Sequence, residues 1–533
     1  MSASAPVRRA SLWLALLLLS GCPTPLDDDD ATTPAADDDD ATADDDDTAD
    51  DDDTADDDDS AADDDDATTP APSTTLTLLS PSAGSVLEVI NSFSAQIDGD
   101  APGIATLTFD GDVVSQRVFN VATGIVDFDI DTGAYPDGAY TVAIAAPSWG
   151  LSDSVVVTFE NGDLLRYDWA DIPYVYEATQ PVAASLNVVP PAVSLGLMVT
   201  PQPGDPFQGL FGYALNPDGD WAIGGPNTTV YPMGASAAGP WAGVIPNHDT
   251  VPWLTGGYNL YPWGDASADG NDFDLTALVK RSFGPVEAGL LHMDFYFVTG
   301  VTETAASAPT SAPFQNFLDA LEAVYLQAGI ALGDIGYYDV GNSGFANIAD
   351  YDELVSLFES GITSDERVVN VFVVNDLAMP SANPLGVTSH IPGPALLNGT
   401  GQAGVAIVDD YIQSNEPGTA AALAGHEIGH YLGLYHGTEV GGAESDPLPD
   451  TPASCNAGGC WETNLMDPYL YGSTTLTPDQ AWVMLRHPVV ELVPASQLPA
   501  RIAAPVFDYA DGLPEGPVPH FCGVGAASAP PNP

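Results

Sequence analysis

The sequence predicts a multidomain protein whose N-terminal half is all-β and whose C-terminal half is α+β. Three observations lead to this fold class. Short apolar runs separated by Asp-Gly and Gly-Ala turns follow one another between residues 74 and 160. Tryptophan, glycine and proline are dense between residues 163 and 283, and helical and strand patterns alternate only after residue 285. A chain of 533 residues is long enough for two to four domains.

The N-terminus carries a predicted processing signal. Arg8 and Arg9 precede an apolar run, Leu12 to Leu19, which is too short to span a bilayer as a helix. The run ends in Leu19-Ser20-Gly21-Cys22, which resembles a bacterial lipobox. We therefore expect a signal peptide over residues 1–21, a lipid on Cys22, and a membrane-anchored location in the bacterial cell envelope, at the outer membrane or cell surface. The alternative is an ordinary secretory signal followed by an incidental cysteine.

Residues 22–73 are dominated by aspartate and predict a disordered tether, because such a segment repels itself and has nothing apolar to bury. Calcium binding by the aspartates is the less favoured alternative, since no geometry is fixed. The acidic residues form six tetrads, Asp27–Asp30, Asp37–Asp40, Asp44–Asp47, Asp50–Asp53, Asp56–Asp59 and Asp63–Asp66.

The charge balance of the whole chain excludes one class of partner. The chain has 76 acidic residues against nine lysines plus arginines, a formal net charge of -67. The six tetrads account for only 24 of these acids, so the remaining chain is also strongly acidic. Such a surface repels phosphate backbones, and we expect no nucleic-acid partner.

Residues 74–162 are predicted to form an immunoglobulin-like β-sandwich, because regular short strands occupy a stretch of suitable length. Its expected role is spacing or adhesion. The strand candidates are Leu76–Leu79, Ala105–Phe109, Ile125–Phe128 and Tyr140–Ile144.

Residues 163–284 are predicted to form a second β-rich domain. Tyr231-Pro232-Met233-Gly234 is echoed by Tyr261-Pro262-Trp263-Gly264, which suggests a duplicated hairpin. The aromatic residues are expected to form β core, with a carbohydrate-binding face as the alternative. A candidate calcium loop lacks the closing glutamate of an EF-hand and gives a weak signal. Its acids are Asp265, Asp269, Asp272 and Asp274.

Residues 285–495 are predicted to be a mixed α and β domain, and residues 496–533 a C-terminal tail. Proline suits the first turn of a helix, which favours a helix that begins near Pro417. Thr477-Pro478-Asp479 resembles another helix start, and that helix should end near Leu485. Periodicity predicts the other elements. These are strands at Leu290–Val298, Val368–Val374 and Gly404–Val408, and a helix at Phe314–Ala328.

One run in this domain, His-Glu-Ile-Gly-His-Tyr-Leu-Gly-Leu-Tyr-His, predicts a catalytic metal site. On a helix, His426 and His430 lie one turn apart on the same face and can reach one metal ion. Gly433 can adopt a positive φ, end the helix and return the chain to bring in His436. Three imidazoles leave one position open, as in catalytic zinc sites, and Glu427 is placed to hold the attacking water.

The same run resembles the metzincin zinc endopeptidases, and Asn464-Leu465-Met466-Asp467-Pro468 is similar to their methionine turn. Asp450-Thr451-Pro452, lying between the run and the turn, makes the pappalysin–cytophagalysin family the nearest likeness. The likeness runs loosely from Leu290 to His487 and is specific from Gly418 onward.

The resemblance implies three further expectations. Met466 should form a hydrophobic floor beneath the imidazoles. The edge strand of the sheet, Val405–Val408 or the loop before it, should pair with extended substrate. Where family members often carry a tyrosine near the zinc, this chain has Pro468, so Tyr469 is either a supporting residue or an ordinary packed one.

Four cysteines complete the inventory of reactive groups. Cys455 and Cys460 are close enough in sequence to close a small disulfide loop, which an exported setting permits. Use of this pair in a structural zinc site is less favoured, because no second ligand pair accompanies it. Cys522 in the tail remains without an assigned partner.

The predicted function is hydrolysis of peptide bonds in extracellular or periplasmic proteins by a zinc-activated water, with Glu427 as the general base. The expected cofactor is zinc, with calcium as a weaker candidate, and the expected partners are a protein or peptide substrate and the membrane. Two rival functions stay open. One is a surface adhesin or glycan-binding lipoprotein with a secondary or silent peptidase domain, and the other is a zinc amidase acting on cell-wall peptide.

Overall fold

The structure is a computed structural model that describes residues 74–87, 90–99, 101–120, 124–173, 184–202, 209–223, 240–264, 272–379, 384–413, 417–437, 446–451, 464–470, 473–498 and 518–519. The predicted signal peptide and tether, Cys22, the Cys455–Cys460 pair and Cys522 lie outside these residues, as do Tyr231–Gly234, Asp265 and Asp269. No helix in the described part of the chain has the length and hydropathy needed to cross a bilayer.

The first β module folds as two sheets that share one apolar core. Strand alternation places Phe93, Leu107 and Phe159 inside, each at most 3% exposed. One sheet has the order β1-β3-β6 and the other β2-β8-β7-β4-β5. All four predicted strands are confirmed, while the immunoglobulin-like assignment stays a prediction. The strands are β1 Thr75–Ser80, β2 Val86–Leu87, β3 Ile90–Asp98, β4 Gly103–Phe109, β5 Asp112–Phe119, β6 Ile125–Asp131, β7 Gly138–Ala146 and β8 Leu151–Phe159.

The second β module also consists of two four-stranded sheets, with the orders β10-β15-β12-β13 and β14-β11-β16-β9. Its core is aliphatic and aromatic, and Tyr258 and Trp253 stack within it at 5.8 Å. The strands are β9 Leu164–Pro173, β10 Ala184–Val188, β11 Ala192–Pro201, β12 Gly209–Leu215, β13 Trp221–Ile223, β14 Trp241–Ile245, β15 Gly256–Gly264 and β16 Asp272–Arg281.

The α+β region is built on a sheet of order β18-β17-β20-β23-β22, with β25 paired to β17. Strands β17, β18, β20 and β23 run parallel, and β22 runs antiparallel at the end. The strands are β17 Gly289–Val298, β18 Ile330–Val340, β19 Asn347–Ile348, β20 Val368–Val374, β21 Asp376–Leu377, β22 Gly386–Thr388, β23 Val405–Val408, β24 Tyr469–Leu470, β25 Glu491–Leu492 and β26 Val518–Pro519.

Helices cover this sheet and confirm the predicted starts. Helix α4 begins at Pro417, and α5 begins at Pro478 behind a capping box, in which the Thr477 side chain and Gln480 exchange hydrogen bonds with the backbone. The helix predicted over Phe314–Ala328 is observed two residues earlier. The helices are α1 Ala312–Leu326, α2 Tyr351–Phe358, α3 Asp410–Gln413, α4 Pro417–Tyr431 and α5 Pro478–Arg486.

The sheet order decides between the two predicted edges in favour of the loop before Val405. Strand β23 (Val405–Val408) is flanked on both sides, by β20 and by β22. The loop before β23 folds back as β22, so Gly386–Thr388 forms the edge among the described strands. The sequence pattern of the buried parallel strands does not show that β22 forms the edge. Strand β22 is only three residues long, and it pairs with β23 in the antiparallel direction.

The second β module packs directly on the α+β region, across the predicted limit at 284/285. Lys280, the only lysine of the chain, is fully buried and donates to the carbonyls of Leu485 (2.6 Å) and His487 (2.8 Å) at the end of α5. Burial and the nearby Arg367 hold the pKa of Lys280 well below its ordinary value. Three residues of the second module join the apolar core of the α+β region, namely Met198, Ala242 and Leu278.

Two arginines tie the modules together further. Arg281 donates to the carbonyls of Gly133 and Gly162 in the first module. Arg367 forms a bidentate ion pair with Asp163, which also accepts from the amide of Leu492 at 2.9 Å. Three of the nine basic residues of this acidic chain therefore join its described modules.

Candidate metal centre

Helix α4 places two of the predicted ligands side by side. His426 and His430 are four residues apart, so their side chains lie one turn from each other on the same face. Their ring centroids are 4.6 Å apart, and their Nε2 atoms are 3.0 Å apart. Both side chains are at most 2% exposed. The spacing in the sequence therefore becomes a shared ligand face at the C-terminal end of the helix.

Gly433 returns the chain to the same point. Its φ is +100°, a conformation that residues with a Cβ rarely adopt, and the amide of Leu434 closes the turn on the carbonyl of Gly429 at 2.9 Å. The chain then brings His436 within 3.2 Å of His426, measured between the Nε2 atoms. The predicted helix end and the return of the third imidazole are both confirmed.

The hydrogen bonds of the imidazoles fix which nitrogen atoms point at the shared centre. Nδ1 of His426 lies 2.7 Å from the carbonyl of Leu465, and Nδ1 of His430 lies 2.6 Å from the carbonyl of Leu434. A carbonyl only accepts, so each Nδ1 carries a proton and the Nε2 atom of each ring faces the centre. Two Nε2 lone pairs 3.0 Å apart repel each other unless a proton or a metal ion lies between them.

The donor set therefore fits a metal ion. The ligand atoms of His426, His430 and His436 all lie within 4.8 Å of one another, and they could hold one metal. Three imidazole nitrogens are donors that zinc accepts, and the carbonyls at Nδ1 of His426 and His430 are the outer hydrogen bonds that orient such ligands.

Glu427 lies beside the imidazoles and is fully buried. Burial raises the pKa of its carboxyl group, while the His426 charge and the Thr388 hydroxyl act in the opposite direction. The Thr388 hydroxyl lies 3.1 Å from Oε2 of Glu427 and also contacts the Glu427 main-chain carbonyl. A carboxylate at this position can exchange a proton with a group held at the centre.

The methionine turn packs against helix α4 next to two of the ligands. Met466 is completely buried, and its sulfur is so close to Gly429 that a Cβ there would meet it at 2.9 Å. Its amide donates to the Asn464 side chain (2.8 Å), and its carbonyl accepts from Gly437 (3.2 Å). Because Gly437 follows His436, the turn and the third imidazole are held together. The expected hydrophobic floor beneath the imidazoles stays a prediction.

Gln480 connects this turn to helix α5. Its side chain and that of Asn464 exchange two hydrogen bonds of 3.0 and 3.1 Å, and its Oε1 also accepts from the amide of Thr477. Sequence reasoning missed this link, although the Thr-x-x-Gln capping pattern at 477–480 signals an ordered glutamine at that position.

The segment before the turn contains a second residue that sequence reasoning missed. Asp446 is 7% exposed, and its carboxylate accepts from the Thr451 hydroxyl and the Leu448 amide. Burial raises the pKa of Asp446 to about 7. Neighbouring Asp450 instead binds the start of α5, accepting from the Thr477 hydroxyl and the Asp479 amide, each at 2.9 Å. The Asp-Thr pair of the family-like segment therefore orders the loop.

The other predicted site residues are less completely described. Tyr469 begins β24, which pairs with β26, but its side chain lies outside the described part. Pro452 and both cysteines of the predicted disulfide also lie outside it. Nothing among the described residues supports calcium. Asp274, for example, accepts from Gln202 (2.7 Å) and from the amide of Asp171 (3.0 Å).

One comparison with known proteins covers this part of the chain. Residues 359–471 match the Peptidase_M43 family model, described as pregnancy-associated plasma protein-A. The matched stretch contains β22, the three histidines, Glu427 and Met466. It supports a metallopeptidase function in general, and metallopeptidases of this family are zinc-dependent. No curated protein matches the chain.

Solved structures show only partial likenesses. An endo-beta-1,4-mannanase from Thermotoga petrophila is 18% identical, with 17% of this chain and 21% of that chain covered and a TM-score of 0.15. Tripeptidyl peptidase 2 is 10% identical, with 41% of this chain and 21% of that chain covered and a TM-score of 0.14. The Down syndrome cell adhesion molecule is 11% identical, with 43% of this chain and 30% of that chain covered and a TM-score of 0.14. The chain spans less than a third of each, and likenesses at such TM-scores carry no argument.

Proposed function

We propose that the chain is a metzincin-like zinc endopeptidase whose ligands are His426, His430 and His436 and whose general base is Glu427. The observation that carries the proposal is the set of three converging imidazoles with a buried carboxylate beside them. When bound there, zinc would supply Lewis acidity, which lowers the pKa of a water molecule and polarises the scissile carbonyl. The same residues lie in the stretch that matches the peptidase family model.

The protein groups divide the remaining work. Glu427 removes the proton from the attacking water and then delivers it to the leaving amine. The carbonyls of Leu465 and Leu434 hold the His426 and His430 rings in one tautomer and orientation. An extended peptide is expected to pair with the edge strand β22, which ends beside Glu427.

The burial of the site residues bears on how activity is tested, because His426, Glu427 and His430 are each at most 2% exposed. The assay therefore uses the full chain both untreated and after brief digestion by a serine protease that is then inhibited. The Glu427→Gln variant is treated in parallel, which accounts for any residual protease.

The decisive assay follows cleavage of casein, an unstructured protein, and the resulting peptides. We expect cleavage that a zinc chelator abolishes and added zinc restores. Cleavage that survives complete removal of the metal, or its absence in both treated and untreated zinc-loaded chain, would contradict the proposal. Release of amide groups from cell-wall peptide without casein cleavage would favour the amidase instead.

We also propose that the chain is exported and attached to the bacterial cell envelope by a lipid on Cys22. The lipobox-like Leu19-Ser20-Gly21-Cys22 and the acidic stretch after it support this proposal. Radiolabelled fatty acid should be incorporated into the wild-type chain and not into the Cys22→Ser variant. Equal labelling of the two would contradict the anchor without affecting the peptidase proposal.

A further inference from the structure

The edge strand β22 touches the carboxylate of the proposed general base through two of its residues. Side chains alternate along a strand, so Gly386 and Thr388 lie on the same face, and this face meets α4. A Cβ placed on Gly386 would lie 2.6 Å from Cγ and 3.0 Å from Oε1 of Glu427. The strand therefore approaches Glu427 as closely as it does only because residue 386 has no side chain.

Thr388 makes the polar half of this contact. Its Oγ1 lies 3.1 Å from Oε2 of Glu427 and also contacts the main-chain carbonyl of the same residue. A hydroxyl has one proton to donate and both oxygens are acceptors, so the proton is shared between them in a three-centre hydrogen bond. Both residues are completely buried. The hydroxyl thus links the Glu427 side chain to its own backbone.

We propose that Thr388 is a positioning residue for Glu427 in the peptide hydrolysis proposed above, and that Gly386 keeps the space into which the carboxylate fits. This inference rests on that proposed function. Because β22 is also the strand expected to bind the peptide, one element sets the position of both the base and the substrate. A base displaced by about 1 Å can cost on the order of 100-fold in rate, so the loss should appear in kcat.

The test compares three variants of the full chain with the wild type on one fluorogenic peptide. Thr388→Val keeps the shape and removes the hydroxyl, and we expect kcat to fall by about 10- to 100-fold with KM within about twofold. Thr388→Ser restores the hydroxyl and should recover most of kcat. Ser389→Ala is the matched control, because its buried hydroxyl donates to the carbonyl of Gln402 and not to Glu427.

Bound zinc and the unfolding midpoint are measured on every sample, so that a folding defect is recognised. If Thr388→Val does not fold, Gly386→Ala takes its place, and its added methyl should lower kcat while zinc content stays at the wild-type value. Wild-type kcat in Thr388→Val or in a folded Gly386→Ala, or an equal loss in Ser389→Ala, would overturn the inference. Failure of the proposed function itself would show differently, as an inactive wild type.

Discussion

The ion pair between Asp163 and Arg367 allows a sharp test of how the described modules are joined. Asp163 starts the second β module, whereas Arg367 precedes β20 in the α+β region, so the pair spans 204 residues. The carboxylate accepts two hydrogen bonds from the guanidinium and one from the amide of Leu492. The side chains are 19% and 18% exposed, so most of the pair is shielded from water.

Removing the carboxylate should therefore cost much more than a surface pair would. Loss of one partner of a buried pair costs about 3–5 kcal/mol, because the other charge stays buried. Since a fifth of each side chain reaches solvent, we expect Asp163→Ala to lower the free energy of unfolding by about 2–4 kcal/mol. Asp163→Asn, which keeps the size and one acceptor, should lose roughly half of that.

The assay is urea unfolding followed by tryptophan fluorescence, with Asp365→Asn as the matched control. Asp365 is 81% exposed and lies 3.8 Å from Arg166, so its loss should change stability by less than about 0.5 kcal/mol. A double-mutant cycle with Arg367→Met isolates the interaction energy of the pair. A coupling below about 0.5 kcal/mol, or an Asp163→Ala variant as stable as the wild type, would refute the reasoning.

The pH dependence of the stabilisation by Asp163 is an independent test of the ion pair. Burial alone would raise the pKa of Asp163, but Arg367 and the hydrogen bonds from Arg367 and Leu492 outweigh it and leave the pKa below its ordinary value. The stabilisation is then present above about pH 4 and is lost as the pH falls through the lowered pKa. The difference between wild type and Asp163→Asn should therefore shrink in acid and be constant near neutral pH.

Three further predictions concern the loop and turn around the site. Gly433→Ala should lower the free energy of unfolding by about 1–3 kcal/mol, because residue 433 has a positive φ, and it should also weaken zinc binding. Gly84→Ala is the control: residue 84 has a similar φ (+78°) and no atom within 4 Å of an added Cβ, so only stability should fall. Gln480→Met should lower the free energy of unfolding in urea by about 2–3 kcal/mol and also lower kcat, because it removes the two hydrogen bonds that hold Asn464. An unchanged kcat would show that this link does not affect catalysis. The carboxyl group of Asp446 has a pKa of about 7 in the folded chain, so it keeps a proton that the unfolded chain releases near pH 4. The free energy of unfolding should therefore fall by on the order of 4 kcal/mol, relative to Asp446→Asn, as the pH rises from about 4 to 7. Parallel pH profiles of the two proteins would contradict this last expectation.

The parts of the site that sequence predicted are those fixed by local geometry. The four-residue spacing of His426 and His430 has one outcome on a helix, and a glycine at position 433 permits the turn that returns His436. Met466 came from a family resemblance, and the structure buries it against Gly429 of α4.

Contacts that depend on sheet order and long-range packing were beyond the sequence. Thr388 is 39 residues from Glu427, and it reaches the carboxylate only because β22 reverses direction and pairs outside β23. The burial of Lys280 also could not be predicted, since a lysine in an acidic chain is expected to be solvated. Its burial follows from the packing of α5 against β16, which no local pattern encodes.

The central claim is that three histidines hold a zinc ion while Glu427 moves the proton. Its most direct test measures bound zinc and casein cleavage on the same samples of wild type and Glu427→Gln. We expect one zinc per chain in both proteins, with cleavage reduced by at least about 100-fold in the variant. Zinc-loaded Glu427→Gln that cleaves at the wild-type rate, or a wild-type chain that binds no zinc, would contradict it.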